Sequence, residues 1–189
     1  MTSVYFVRHA QPDISWEDDR TRPLTPTGLQ DRKRVTELLS GIPIDYFFSS
    51  PYKRSYDTIS ECADTFGMEI HTDERFRERK YGKNGYGVEQ LERRWKDFNF
   101  CEEEGETLNS VQSRNIEALN EVLVAHKDKN IVVGTHGTAL STIINYYDPS
   151  FGCDGFKRIW NWMPYVIRLD FEGIKYIGRQ ELLIVDRGY

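Results

Sequence analysis

Two histidines stand where chemistry is possible. His9 follows Arg8 at the end of a short β-rich run, SVYFV (3–7), and His136 lies in Thr135-His136-Gly137 at the end of another, NIVVG (130–134). Between them, DYFFSS (45–50) ends in a Ser-Ser-Pro step with Arg54 on the first turn of the next helical segment. MEIHTD (68–73) is followed by Glu78 among Arg75, Arg77, Arg79 and Lys80. A neutral imidazole can attack phosphorus in line and hold it as phosphohistidine. Its ring must be oriented through the other nitrogen, commonly by a backbone carbonyl. The phosphoryl group in flight spreads negative charge over its equatorial oxygens and requires fixed donors and positive charge around it. Arg8 and Arg54 offer planar forks that match those oxygens. A protonated His136 offers another donor, and the N–H groups of Gly137 and Thr138 add an anion site at a helix start. The leaving alcohol needs a proton, and Glu78 is the expected source, with Glu74 or Asp13 next in line.

Each residue alone has a plainer reading. A histidine after a strand is more often a satisfied core group, and an arginine on an amphipathic helix is usually solvated. Glu78 among basic residues could be a surface ion-pair partner worth little. The signal lies in their convergence. The chain alternates apolar β-rich runs with amphipathic helical segments, which implies βαβ units and a largely parallel sheet covered on both faces. In such sheets ligands bind beyond the carboxyl ends of the strands, which is where all four clusters fall.

The elements that must position them read as follows. Helices are expected over 25–41, where Thr25 caps and Pro26 takes the first turn, and over 51–67, closed by Gly67. Further helices are expected over 108–126 and 137–147, and a short one over VEQLERRWKDF (88–98). The tail reads as two strands, 164–173 and 175–185, joined near Glu172-Gly173. The fold class is therefore α/β: a three-layer sandwich with a mostly parallel central sheet, helices on both faces and a small cap insertion. One domain is expected over 1–189. The less regular stretch 76–106 is the expected cap or lid, with Tyr81, Tyr86, Trp95 and Phe98 as its substrate wall. Arg79 and Lys80 there could bind a second anionic group, whereas the acidic run Glu102, Glu103 and Glu104 reads as a solvated loop face.

Composition narrows the class. A 189-residue chain with 39% hydrophobic residues can bury a sizeable core. A net charge of −5 argues against nucleic acid or an anionic membrane as the main partner. Three widely spaced cysteines, Cys62, Cys101 and Cys153, suit neither a disulfide scaffold nor structural zinc. No apolar run has the length of a spanning helix, and a cytoplasmic protein is expected. No GxGxxG or GxxxxGK[ST] is present to indicate a nucleotide-binding protein.

These residues resemble the histidine phosphatase superfamily, the phosphoglycerate-mutase-like proteins. The family's Arg-His-Gly/Ala step appears as VRHAQP (7–12), its Leu-Thr-x-x-Gly as LTPTG (24–28), and its Ser-Ser-Pro/Asp-x-x-Arg as SSPYKR (49–54). ERKYG (78–82) is similar to the Glu-Arg-His-Tyr-Gly of the mutase branch, GET (105–107) with Arg114 to a Gly-Glu-Ser/Thr segment, and THG (135–137) to the second histidine motif. Ser15 stands where many members carry Asn; its hydroxyl is a shorter donor to a phosphate oxygen. The resemblance implies His9 as phospho-accepting nucleophile, Arg8, Arg54 and His136 as phosphate pocket, Glu78 as proton donor, and a reaction with no metal and no cofactor. The segment after ERKYG is shorter than that of glycolytic mutases, so hydrolysis of a small phosphorylated metabolite is favoured over a mutase reaction. A non-catalytic protein binding phosphorylated ligands is the remaining alternative. The expected assembly is a monomer or homodimer.

Overall fold

The protein is described from a computed structural model covering residues 1–188. Its six strands form one sheet in the order β3-β2-β4-β1-β5-β6. They are β1 (Thr2–Arg8), β2 (Tyr46–Ser49), β3 (Ile70–Thr72), β4 (Asn130–Thr135), β5 (Trp162–Glu172) and β6 (Lys175–Asp186). The first four run parallel, whereas β5 is antiparallel to β1 and β6 antiparallel to β5. The helices are α1 (Pro26–Leu39), α2 (Lys53–Phe66), α3 (Val88–Lys96), α4 (Leu108–Ala125), α5 (Gly137–Tyr147) and α6 (Cys153–Ile159), with a 3-10 turn at Glu74–Phe76.

The continuous apolar runs of β1 and β4 follow from burial on both faces. Along β1, Val4 and Phe6 face one core with Ile131 and Val133 of β4, while Tyr5 and Val7 face the other with Val132. The first core is closed by α4, α5 and α6 through Leu119, Leu123, Leu140, Ile143 and Ile159. The second is closed by α1 and α2 through Val35, Leu39, Ile59 and Cys62. This is the expected three-layer α/β arrangement, with a mostly parallel sheet between two helical layers.

Register positions the site. Arg8 pairs with Thr135 and Ser49 with Gly134, so the three central strands end level. His9, Ser50 and His136 each follow one of these residues, on neighbouring strands at one sheet edge. Capping follows the expected chemistry: the Thr25 hydroxyl accepts from Gly28 N–H, and Gly67 closes α2 in a left-handed conformation at φ 64°. Gly28 is required by packing. A Cβ there would lie 2.4 Å from the Gln11 carbonyl oxygen, so glycine lets the loop after His9 lie on the start of α1.

The structure adds one element and changes one expectation. The segment 153–159 is helical although two glycines, Gly152 and Gly155, weaken its local signal. Gly155 is where the Phe151 ring packs, 2.8 Å from a would-be Cβ. The acidic run also divides. Glu103 and Glu104 are exposed and bridge Lys83, but Glu102 is buried, ion-paired with Arg94 and 3.2 Å from Arg79. Among the described residues no helix is long and apolar enough to cross a membrane.

Candidate active site

The loop after β1 fixes His9. Its Nδ1 lies 2.8 Å from the Ala10 carbonyl oxygen, so that nitrogen carries the proton and donates, leaving the Nε2 lone pair free. Ala10 is itself held, its N–H donating to the Thr58 hydroxyl of α2 at 2.9 Å. His9 is 5% exposed. Burial, reinforced by the charges of Arg54 and Arg8, pushes its imidazole well below the usual histidine value. The ring is thus held neutral, with Nε2 as the nitrogen that bears the lone pair.

His136 packs edge-on against it, with ring centroids 5.3 Å apart. It is fully buried and meets the Ser50 hydroxyl at 2.8 Å through Nε2. Burial first, then the Arg54 charge, pushes this imidazole well below the usual histidine value too, which favours the neutral ring over the protonated donor that the sequence allowed.

Arg8 and Arg54 approach from two sides. Arg8 donates to the Ile159 carbonyl at 2.5 Å, while its Nε is buried with no acceptor among the described residues. Burial lowers the guanidinium to about 10, against the favourable field of Glu78. Its path explains Gly137, where a Cβ would lie 3.0 Å from the guanidinium nitrogen. Arg54, 3% exposed, donates to the Asp19 carbonyl at 2.5 Å and ion-pairs with that residue's carboxylate at 3.2 Å.

Glu78 is held differently from the expectation. Its Oε1 accepts from the N–H groups of Arg79 (2.8 Å) and Ala139 (3.1 Å), and Oε2 accepts from that of Thr138 (3.0 Å). At the start of α5, where Gly137 and Thr138 were expected to take a phosphate oxygen, the N–H groups of Thr138 and Ala139 are therefore engaged by this carboxylate. Both Oε1 lone pairs are used, whereas one on Oε2 remains open, making Oε2 the atom that can carry a proton. Behind it, Arg114 donates to the carbonyls of Arg75 (2.6 Å), Arg77 (2.7 Å) and Glu78 (3.1 Å), and is itself gripped by Glu106 at 2.8 and 3.0 Å. Burial works against ionisation of Glu106, but hydrogen bonds from Arg114 and Arg77 outweigh it and hold the carboxyl at about 2.

Arg8, His9, Arg54, Glu78 and Tyr81 line a cleft of about 470 Å³, and His136 is buried beside His9 without lining it. Of the expected binding residues Tyr81 lines this cleft, whereas Ser15, Arg79, Lys80, Gly137 and Thr138 do not. Ser15 is exposed and folds onto Asp13, its hydroxyl and N–H both donating to Oδ1 at 2.6 and 3.0 Å. The Asp-x-Ser step makes a local turn that captures the hydroxyl. Arg79 is 1% exposed and turned away from the cleft, paired with Glu102 and donating to the Glu106 carbonyl at 2.9 Å. Of the alternative acids, Asp13 lines the cleft, whereas Glu74 is exposed and paired with Arg20. No three His, Cys, Asp or Glu side chains gather as metal ligands among the described residues.

The sequence reading did not reach Asp19, Ser50 as the partner of His136, Thr58, or the Trp160, Asn161 and Met163 wall. Ser50 was visible at a strand end. The others carry no local signal, because only the tertiary fold brings them to the cleft.

An edge of a parallel sheet with two facing histidines, two buried arginines and a backbone-held glutamate defines a class of phosphate-handling α/β protein. The model of the histidine phosphatase superfamily (branch 1) matches residues 4–165, and the chain belongs to that superfamily. It is 28% identical over 176 residues to phosphoserine phosphatase 1 of Hydrogenobacter thermophilus, covering 86% of this chain and 82% of that protein. It is 27% identical over 162 residues to a 2,3-bisphosphoglycerate-dependent phosphoglycerate mutase of Thermoplasma acidophilum, covering 78% and 76%. Among solved structures, a phosphoserine phosphatase from Entamoeba histolytica in complex with 3-phosphoglyceric acid superposes with a TM-score of 0.78 at 18% identity, covering 100% and 98%.

Proposed function

We propose that this protein hydrolyses phosphomonoesters through a phosphohistidine on His9. The observation that carries this is the Nδ1–Ala10 hydrogen bond, which turns a neutral His9 so that Nε2 is free beside two buried arginines. A phosphomonoester monoanion enters with one proton, which passes to Glu78 Oε2. Nε2 attacks phosphorus and the P–O bond to the leaving group breaks. Oε2 returns the proton to the departing oxygen, giving a neutral alcohol. Arg8, Arg54 and the His136 pocket hold the equatorial oxygens as their charge grows. Water then attacks phosphorus, losing a proton to Glu78 Oε2, and the N–P bond breaks to leave His9 neutral; Oε2 passes that proton to the departing phosphate, which leaves as the monoanion, and Glu78 is a carboxylate again.

Hydrolysis is favoured over a mutase by the rest of the cleft. Tyr81 and Tyr86 of the segment 76–106, which we read as a cap, form an aromatic wall, stacked with centroids 5.0 Å apart. Beyond the phosphate pocket the lining cation is Arg22, already paired with Asp19 at 2.9 Å. A phosphoglycerate carboxylate is therefore offered little compensating charge.

The test is a phosphate-release screen over phosphomonoesters in the presence of chelator, with His9→Ala beside the wild type. Release that vanishes in the variant is expected. Isomerisation of 3-phosphoglycerate with its bisphosphate primer, without net release, would make the protein a mutase. Binding without turnover of any ester would make it a phospho-ligand-binding protein.

A further inference from the structure

A second cavity, of about 330 Å³, lies beneath the cap and shares Tyr81, Tyr86 and Trp160 with the phosphate cleft. Its deeper walls are Leu91, Leu108 and Phe156, which are 4%, 1% and 7% exposed, together with Trp95. The one charged group on its lining, Arg94, is neutralised by Glu102 and donates to the Gly85 carbonyl at 3.0 Å. The buried Trp95 indole N–H has no protein acceptor among the described residues. Two of the residues shared by cleft and cavity stand in water, Tyr86 at 75% and Trp160 at 43% exposure, and Ile14, on the cleft side, is 84% exposed. Large apolar groups gathered in solvent around a concave site mark a ligand surface.

We infer that this cavity receives the leaving group, and that the substrates are phosphomonoesters of uncharged apolar alcohols or phenols. The inference rests on the proposed phosphatase reading and names its substrate class. The phosphoryl group sits at His9, and the ester chain passes between Tyr81 and Trp160 into the space bounded by Leu91 and Phe156. A leaving group with one hydrogen-bond acceptor can meet the Trp95 N–H. A carboxylate-bearing leaving group would lose its hydration against apolar walls and an arginine already neutralised, a cost without return.

The test uses phenyl, 4-ethylphenyl and 4-butylphenyl phosphate, whose phenols leave with nearly equal ease, so differences report binding of the chain. Hexyl phosphate and phosphoserine, both primary alkyl esters, form a second pair. The expected result is a kcat/KM that rises about two- to fourfold per buried methylene, with hexyl phosphate preferred over phosphoserine. Trp160→Ser and Tyr86→Ser, each confirmed folded by circular dichroism, should flatten the rise. Hydrolysis of phenyl phosphate with a flat series, a preference for phosphoserine, or a slope unchanged in both variants would overturn the cavity assignment and leave the phosphatase reading standing. If no ester is hydrolysed, the phosphatase reading falls. Calorimetric titration with the matching alkylphenyl phosphonates then decides the cavity: affinity rising with chain length supports it, and constant affinity overturns it.

Discussion

At the scale of single residues, the site depends on protonation states set by packing. His9 is neutral because burial and two neighbouring guanidiniums oppose its proton. The acid limb of kcat/KM should therefore lie below 6.5, the value of an unperturbed imidazole; a limb at or above that value would mean that the nucleophile is not buried as described. Glu78→Gln keeps the shape but cannot carry the proton on Oε2. It should slow an alkyl phosphate roughly 10²–10³-fold and an activated aryl phosphate far less; equal slowing of both esters would move the acid to Asp13, which lines the same cleft. Arg8, His9, Arg54, Glu78 and His136 were legible in the sequence because each sits beside a strand end or in a short motif. Ser15 and Arg79 were misplaced for physical reasons. A hydroxyl two residues after an aspartate is taken by a local turn, and an arginine next to a cleft residue can point the other way when a buried glutamate waits there.

At the scale of elements, the sheet edge positions the histidines, and a brace from α4 positions Glu78. Arg114 on α4 ties down three carbonyls of the 75–78 segment, and Glu106 fixes Arg114. Arg114→Met should therefore loosen Glu78 without touching the phosphate pocket. The expected readout is a kcat lowered about 10- to 100-fold, with inorganic phosphate inhibiting at an unchanged concentration; an unchanged kcat would show that the α5 N–H groups hold Glu78 unaided. The alternation of β-rich and helical segments placed nearly every element correctly, since strong periodicity and caps such as Thr25 and Gly67 are local. The helix α6 carries little local signal because its glycines and absent side-chain cap hide it; packing of Ile159 into the first core and of Phe156 against Trp95 and Trp160 makes it. The Trp160–Met163 wall that follows it was missed for the same reason.

At the scale of the whole molecule, the chain holds buried charge and buried neutral imidazoles for the sake of the site, and stability should vary with pH accordingly. For His9 and His136 the folded values lie below 6.5, so the unfolded chain binds protons first as the pH falls. Stability is full above 6.5 and declines below it. Glu106 adds a second decline. Its folded value of about 2 lies under the free value of 4.5, so its contribution is present above 4.5 and is lost as the pH falls towards 2. Thermal melts across pH 3–8 should show Tm falling in this acid range; a flat profile would contradict the buried states assigned here. Inorganic phosphate at a hundredfold excess over its Kd should raise Tm by roughly 5–10 °C at neutral pH, and no rise would deny the anion pocket. The two core layers were legible from the apolar runs, but the division of Glu102 from its exposed neighbours was not, because its partners Arg79 and Arg94 come from separate parts of the 76–106 segment.

The central claim is that His9 carries the phosphoryl group in turnover. The most direct measurement is rapid quench of the protein during steady-state hydrolysis of an aryl phosphate, followed by peptide mapping under alkaline conditions that preserve an N–P bond. The expected result is one acid-labile phosphoryl group on the peptide containing His9, absent from His9→Ala. Phosphate release in the wild type with the label on another residue, or release that persists in His9→Ala, would contradict it.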